Sequence, residues 1–346
     1  MGNHYIHTTI LFTLFVLLCL TVFGGYASLA QDEAEQEYIA EVRPGDENEK
    51  FPINVGVVVI DIDSIDGAQQ SFVANFAVVT EWNDPRLVED IEYYRVMDTD
   101  DVWTPNLQIL NQQKLFTTFR DEVTVLPNGN VYFTQRYWGT LSYPMNLKDF
   151  PLDEHSLKIK LVAVGKDSDN ITFNINPERT DMSEILTVTD WEIRSWDAYT
   201  EEIEIGPKLP TFPGVVFEFE AKRLVKFYLI KVLLPLMLIV LMSLVVLFID
   251  PNHTGPKLSI AITAILTLIA YRFLLGNLLP KISYLTHMDY FIFGSMFLVF
   301  AVLVETSIVA RYMSQKREQE ANNLDYWSRW VFVIAFLLVT FGSFIL

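Results

Sequence analysis

An all-β, immunoglobulin-like sandwich followed by a four-helix transmembrane domain is the fold this 346-residue chain predicts. Three observations carry that expectation. Acidic residues outnumber basic ones by more than two to one over residues 31–222, whereas residues 223–346 hold a small basic excess. Short runs with strand character recur through the acidic half, with no long helical pattern between them. Four long apolar runs then follow, each long enough to cross a bilayer.

Residues 1–30 contain an apolar run, Ile10 to Phe23, followed by Ser28-Leu29-Ala30, and read as a signal peptide. The leading segment has His4 and His7 but no Lys or Arg, so an uncleaved anchor helix is the alternative. Cleavage would export the acidic domain, residues 31–222, and remove Cys19, the chain's one cysteine, leaving no disulfide or thiolate chemistry. An acidic surface excludes nucleic acid as a partner and concentrates cations.

Within that domain the expected strands are Val55–Asp63, Phe72–Trp82, Leu157–Val164, Ile171–Ile175, Trp191–Trp196 and Val215–Phe219. Val123–Val125 and Val131–Phe133 flank Pro127-Asn128-Gly129-Asn130, a hairpin signal. Such strands predict an antiparallel sandwich. The transmembrane domain, 223–346, divides into helices of roughly 223–249, 255–279, 288–312 and 325–346. Pro235 removes a backbone donor inside the first and predicts a kink. Arg311, Lys316 and Arg317 place the loop from Arg311 to Leu324 on the inner side, with the exported domain outside; Lys222, Arg223 and Lys226 go against that tendency.

The second span carries the strongest functional signal. On a helix, Ser259, Thr263, Leu266, Ala270, Phe273 and Asn277 recur at spacings of four and three and share one face. Hydroxyls at one end and large apolar groups further along suit a water-filled pore, where hydroxyls hydrate ions and greasy rings close by dewetting. A packed bundle helix with two tolerated hydroxyls is the plain alternative. Glu305, well inside the third span, is costly there and calls for a partner, with Lys257 the nearest candidate; a protonated, hydrogen-bonded structural Glu is the alternative. Arg272 falls off the seam and snorkels or meets a neighbour. No phosphate loop, metal-ligand spacing or nucleophile motif occurs, so no enzyme and no cofactor are expected.

The ordered motifs resemble the pentameric ligand-gated ion channels, the Cys-loop receptor superfamily, in its bacterial branch. Phe150-Pro151-Leu152-Asp153 is similar to the tip of the signature loop, whose bridging cysteines would fall on Tyr143 and Leu157 and are absent. Trp103-Thr104-Pro105-Asn106, Phe212-Pro213-Gly214-Val215 leading to Lys222-Arg223, Pro235, and Lys257-Leu258-Ser259 through Pro280 match further family motifs. The resemblance implies a homopentamer in a bacterial inner membrane with a periplasmic N-terminal domain, passing inorganic ions. It implies a central ring at Leu266 and an outer constriction at Ala270 and Phe273. The agonist positions it implies are Ala77, Leu110, Val164, Ile205 and Phe212, with Tyr132 and Thr134 on the complementary face. One aromatic in five argues against a quaternary-amine cage and leaves an unknown small molecule or protons as effector, with His155 a candidate sensor. Gating coupling is expected at Asp66 (or Asp63), Phe150, Pro151, Asp153, Arg223 and Pro280. Pro256 precedes Lys257 where cation channels of the family carry Glu, so the expected cation selectivity rests on the acidic domain and Asp250. An anion channel and a membrane-anchored sensor without conductance are the alternatives.

Overall fold

The computed structural model describes residues 40–46, 49–165, 168–206, 208, 210–276 and 282–345. The predicted signal peptide, Cys19, Asn277 and Pro280 lie outside the described residues.

Alternation of apolar and polar residues builds two sheets. The larger holds β1 (Phe51–Asp66), β2 (Ser71–Asn83), β3 (Arg95–Asp98), β5 (Gln112–Thr117), β6 (Glu122–Val125), β7 (Asn130–Ser142), β9 (Ile171–Ile175) and β10 (Asp181–Met182). The smaller runs β11 (Trp191–Glu204), β12 (Thr211–Arg223), β8 (Glu154–Ala163), β4 (Leu107–Ile109) in that order. On β12, Val215, Phe217, Phe219 and Ala221 point into the core, while Glu218, Glu220 and Lys222 between them face outward. Phe219 meets Phe72 of the facing sheet edge-to-face, with ring centroids 5.6 Å apart. The predicted hairpin joins β6 to β7, and Gly129 takes φ +81° at its tip.

The expected antiparallel pairing holds for most of the sandwich but not at one edge, where β9 and β10 both run parallel to β1. Both strands enter the larger sheet after the chain has crossed from β8 in the smaller one, and a crossover permits a parallel partner where a tight turn does not.

Four helices follow, each long and apolar enough to cross a membrane: α1 (Lys226–Phe248), α2 (Thr254–Leu275), α3 (His287–Ser314) and α4 (Glu318–Ile345). Pro235 lacks the N–H that would bond four residues back, and the turn before it, Leu229–Leu233, widens into a π-helix. The Tyr271 hydroxyl of α2 donates to the Val232 carbonyl at 2.8 Å and reaches the Lys231 carbonyl at 3.3 Å, so α2 caps the disturbed turn. Thr286 and Asp289 form a capping box at the start of α3. The α3–α4 break is confined to Gln315–Arg317, shorter than the loop expected from Arg311 to Leu324. There Lys316 adopts φ +58° and the Arg317 guanidinium binds Glu320 in the first turn of α4.

Candidate functional site

The seam on α2 is placed by what buries the opposite side. Lys257, Ala261, Ala264, Leu268 and Leu275 are buried against the other helices. At 3.6 residues per turn, the mean direction of that face lies about 180° from Ser259, Thr263, Leu266, Ala270 and Phe273. All five are exposed in the single subunit, Leu266 at 60% and Phe273 at 79%. The Thr263 hydroxyl donates to the Ser259 carbonyl at 2.8 Å and Thr267 does the same to Thr263. With their hydrogens committed to the helix, these hydroxyls present lone pairs outward. Arg272 lies off the seam, its guanidinium 5.7 Å from the Phe293 ring centroid of α3.

At the other end of α2, Lys257 is 1% exposed and turned away from the seam. Its ammonium pairs with Asp325 of α4, whose second oxygen accepts from Arg329 Nη2 at 2.7 Å; Arg329 Nε also donates to the Leu247 carbonyl of α1. The expected Lys257–Glu305 pair is therefore replaced. Glu305 is buried on α3 beside Thr306, whose hydroxyl approaches its carboxylate at 3.4 Å. Asp325 opens the fourth helix predicted from the sequence, and nothing local marks it as a buried partner, although Asp325 and Arg329 have the i, i+4 spacing of a helical ion pair.

The joint between sandwich and helices is built around Asp153 and Arg223, both nearly inaccessible. Arg223 Nε donates to Asp153 Oδ1 at 2.7 Å and Nη2 donates to Oδ2 at 2.9 Å, a bidentate fork. His155 Nε2 lies 2.8 Å from the same Oδ2. The guanidinium carbon sits over the Trp191 ring, 4.1 Å from its centroid, with the Phe150 centroid at 4.9 Å. Arg223 Nη1 reaches the Tyr228 hydroxyl of α1 at 3.3 Å. Burial alone would raise the Asp153 pKa, but the hydrogen bonds from His155 and Arg223 outweigh it and hold the carboxyl below its ordinary value. Burial alone would likewise lower that of Arg223, which Asp153 holds above its ordinary value.

Asp66 stands apart from this cluster: its carboxylate accepts from the Ala68 and Gln69 amides and caps its own turn. Asp63 accepts from Trp138 Nε1 at 2.8 Å. The third member of the constellation is His155, not an acid of the β1–β2 turn, and it is buried rather than a surface group. Pro151 follows Phe150 through a cis peptide at the loop tip. That loop rests on the segment before α3 and on its first turn: the Leu147 amide donates to the Tyr284 hydroxyl at 2.9 Å, and the Met288 amide to the Phe150 carbonyl at 3.3 Å.

The agonist positions fall in two groups on the two sheets. Leu110 and Val164 pack with Tyr199 on a small cluster of Val162, Ile203 and Val216, on the outer side of the smaller sheet; Phe212 pairs with Ile203 across β11 and β12, and Ile205 lies just beyond, exposed. Ala77, Thr134 and Tyr132 lie on β2 and β7 of the larger sheet; the Tyr132 hydroxyl donates to Glu81 at 2.7 Å, and Arg179 stacks over its ring. Ala77 therefore lies on the sheet of Tyr132 and Thr134, not with Leu110, Val164, Ile205 and Phe212 as the resemblance implied, because β2 pairs with β7.

A ligand-gated channel is the class that this sandwich, this joint and this hydroxyl-to-apolar helix define together. A family model for the neurotransmitter-gated ion-channel ligand binding domain matches residues 27–225, and one for the neurotransmitter-gated ion-channel transmembrane region matches residues 232–321. The chain belongs to that family, in its prokaryotic-type pentameric ligand-gated form, as a multi-pass membrane protein with an extracellular N-terminal domain. It is similar to a proton-gated ion channel of Gloeobacter violaceus, 21% identical over 295 residues, or 84% of this chain and 82% of the relative.

Proposed function

We propose that five copies of this chain enclose a cation-selective pore whose resting gate lies between Leu266 and Phe273, and that protons acting on the extracellular domain open or close it. The observation that carries the pore is the α2 seam, whose unburied side chains grade from Ser259 to Phe273 while Lys257, Ala261, Ala264, Leu268 and Leu275 on the opposite face are packed. Lipid would suit an exposed Leu and Phe, but the same face also carries Ser259 and Thr263, and that hydroxyl end favours a wet lumen over a lipid-facing side. Outward lone pairs on Thr263, burial of Lys257 away from the seam, and Asp250 near the inner mouth support cations.

The relative's name, together with His155 buried against the Asp153–Arg223 pair, supports protons as effector. His155 Nε2 already shares Asp153 Oδ2 with Arg223 Nη2, and a positive charge on the ring would strengthen that bond at the expense of Arg223 and so act on the joint between the domains. Glu154 and Lys222, which pair across β8 and β12, are the neighbouring charges. A second reading, a small apolar agonist between subunits, is favoured by the Leu110–Val164–Phe212 surface.

Current recorded across pH steps and salt dilutions tests both parts. Cation selectivity is wrong if the reversal potential follows chloride. The proton reading is wrong if pH steps leave the current unchanged, or if His155→Gln responds like the unaltered channel.

A further inference from the structure

Glu305 lies within the span of α3, 6% exposed, and one of its carboxyl oxygens has no hydrogen-bond partner. Among the described residues no lysine or arginine stands within ion-pair distance of it. The hydroxyls beside it have no hydrogen to give. Thr306 Oγ1, 3.4 Å from Glu305 Oε2, donates its one hydrogen to the Val302 carbonyl at 2.8 Å. Ser328 of α4, which faces the same carboxyl, donates its own to the Leu324 carbonyl at 2.8 Å. Both hydroxyl oxygens are left as acceptors, so the hydrogen shared with Glu305 comes from the carboxyl itself: in this arrangement Glu305 is a neutral acid.

The charged groups facing it are Lys257 of α2 and Asp325 of α4, with Arg329 behind Asp325; residues 233–248 of α1 include no titratable side chain. Lys257 and Arg329 against Asp325 leave this buried cluster with one net positive charge while Glu305 keeps its proton, and with none once Glu305 is ionised. Each arrangement has a cost, a net charge in the first and a carboxylate without donors in the second. Lys257 can remove the second cost by turning from Asp325 to Glu305, because Arg329 still holds Asp325 at 2.7 Å. At 1.5 Å per residue, Glu305 lies about 27 Å from the outer start of α3 at His287 and about 14 Å from its inner end at Ser314. The Arg329 side chain, 30% exposed, opens the cluster toward the inner surface.

We propose that Glu305 is a proton-binding site served from the cytoplasmic face, distinct from any extracellular sensor, and that loss of its proton to inner water hands the Lys257 ammonium from Asp325 to Glu305. The inner end of α2 is then tied to α3 instead of α4. The proton site stands without the pore proposed above, whereas the sign of its effect on conduction rests on that reading: removing a positive charge beside the inner mouth of each subunit favours cations.

Two measurements on the assembled channel test this. Infrared difference spectra of the channel in lipid should show a protonated-carboxyl stretch at neutral pH that shifts in heavy water, vanishes on alkalinisation and is missing from Glu305→Gln. Glu305→Asp keeps the acid and moves the band, which assigns it should Glu305→Gln fail to assemble. In inside-out patches at fixed outer pH, raising the cytoplasmic pH should increase single-channel conductance, and Glu305→Gln should lose that response. No such band in the unaltered channel, a band that Glu305→Gln retains and Glu305→Asp leaves in place, or an inner-pH response that Glu305→Gln preserves overturns the proposal. A conductance that falls with rising inner pH, and does so only while Glu305 is present, upholds the proton site and refutes the cation reading.

Discussion

Replacing Asp153 by Asn keeps the shape of the side chain and removes its charge, leaving the Arg223 guanidinium enclosed by Trp191, Phe150 and Tyr228 with no anion. Two charge-assisted hydrogen bonds, at 2.7 and 2.9 Å, lose their ionic character together. Breaking one side of a buried ion pair costs about 3–5 kcal/mol. If that interaction differs between resting and open states, the gating equilibrium shifts by about a hundredfold or more. Recording effector–response curves from Asp153→Asn, Arg223→Gln and the double variant reads the shift, and size-exclusion chromatography reports assembly. The double variant should be less impaired than the singles combined, because it leaves no uncompensated charge. Curves from both single variants lying within about twofold of the unaltered channel, with intact pentamers, would refute the joint as the path of coupling. Loss of the pentamer in every variant would make the pair a staple instead.

Three further outcomes follow from the same geometry. Leu266→Thr or Phe273→Ala wets the proposed gate and should raise the leak current and the sensitivity to effector by about tenfold or more; unchanged leak and sensitivity in both would move the gate elsewhere. Asp325→Asn strands Lys257 in a dry site and should lower the thermal midpoint of the assembled channel, whereas Lys257→Met/Asp325→Leu should recover much of it; equal loss in the double variant would deny the pair its importance. The depressed pKa of Asp153 means that its stabilising contribution is present above the ordinary carboxyl range and is lost as pH falls through its lower folded value. Thermal midpoints of the unaltered channel and Asp153→Asn should therefore differ at pH 5 and converge well below pH 4, and a gap that closes between pH 5 and 7 would contradict the assignment.

What could be read from the sequence was what repeats locally. The α2 seam and the Pro127–Asn130 hairpin depend on side-chain periodicity and turn chemistry, which neighbours along the chain determine. The limits of β9 fell where expected because Ile171 to Ile175 is bounded by polar residues on both sides. The contacts that hold the site together were less legible. Asp325 lies 68 positions from Lys257, in a stretch too polar to suggest a buried partner. His155 took the place expected of Asp66 because a β-strand aims every second residue the same way, and Asp153 and His155 are two apart on one face. β5 went unseen because five of its six side chains are exposed and give no alternation to detect.

In the proposed pore, because Lys257 shares Asp325 with Arg329, the electrostatic potential at the inner mouth depends on the helix farthest along the chain from α2. A slip of α4 by one turn would carry Asp325 about 5.4 Å along its axis and free an ammonium beside the permeation route. In the proposed channel, the depth at which that last helix sits would then bear on which ions enter.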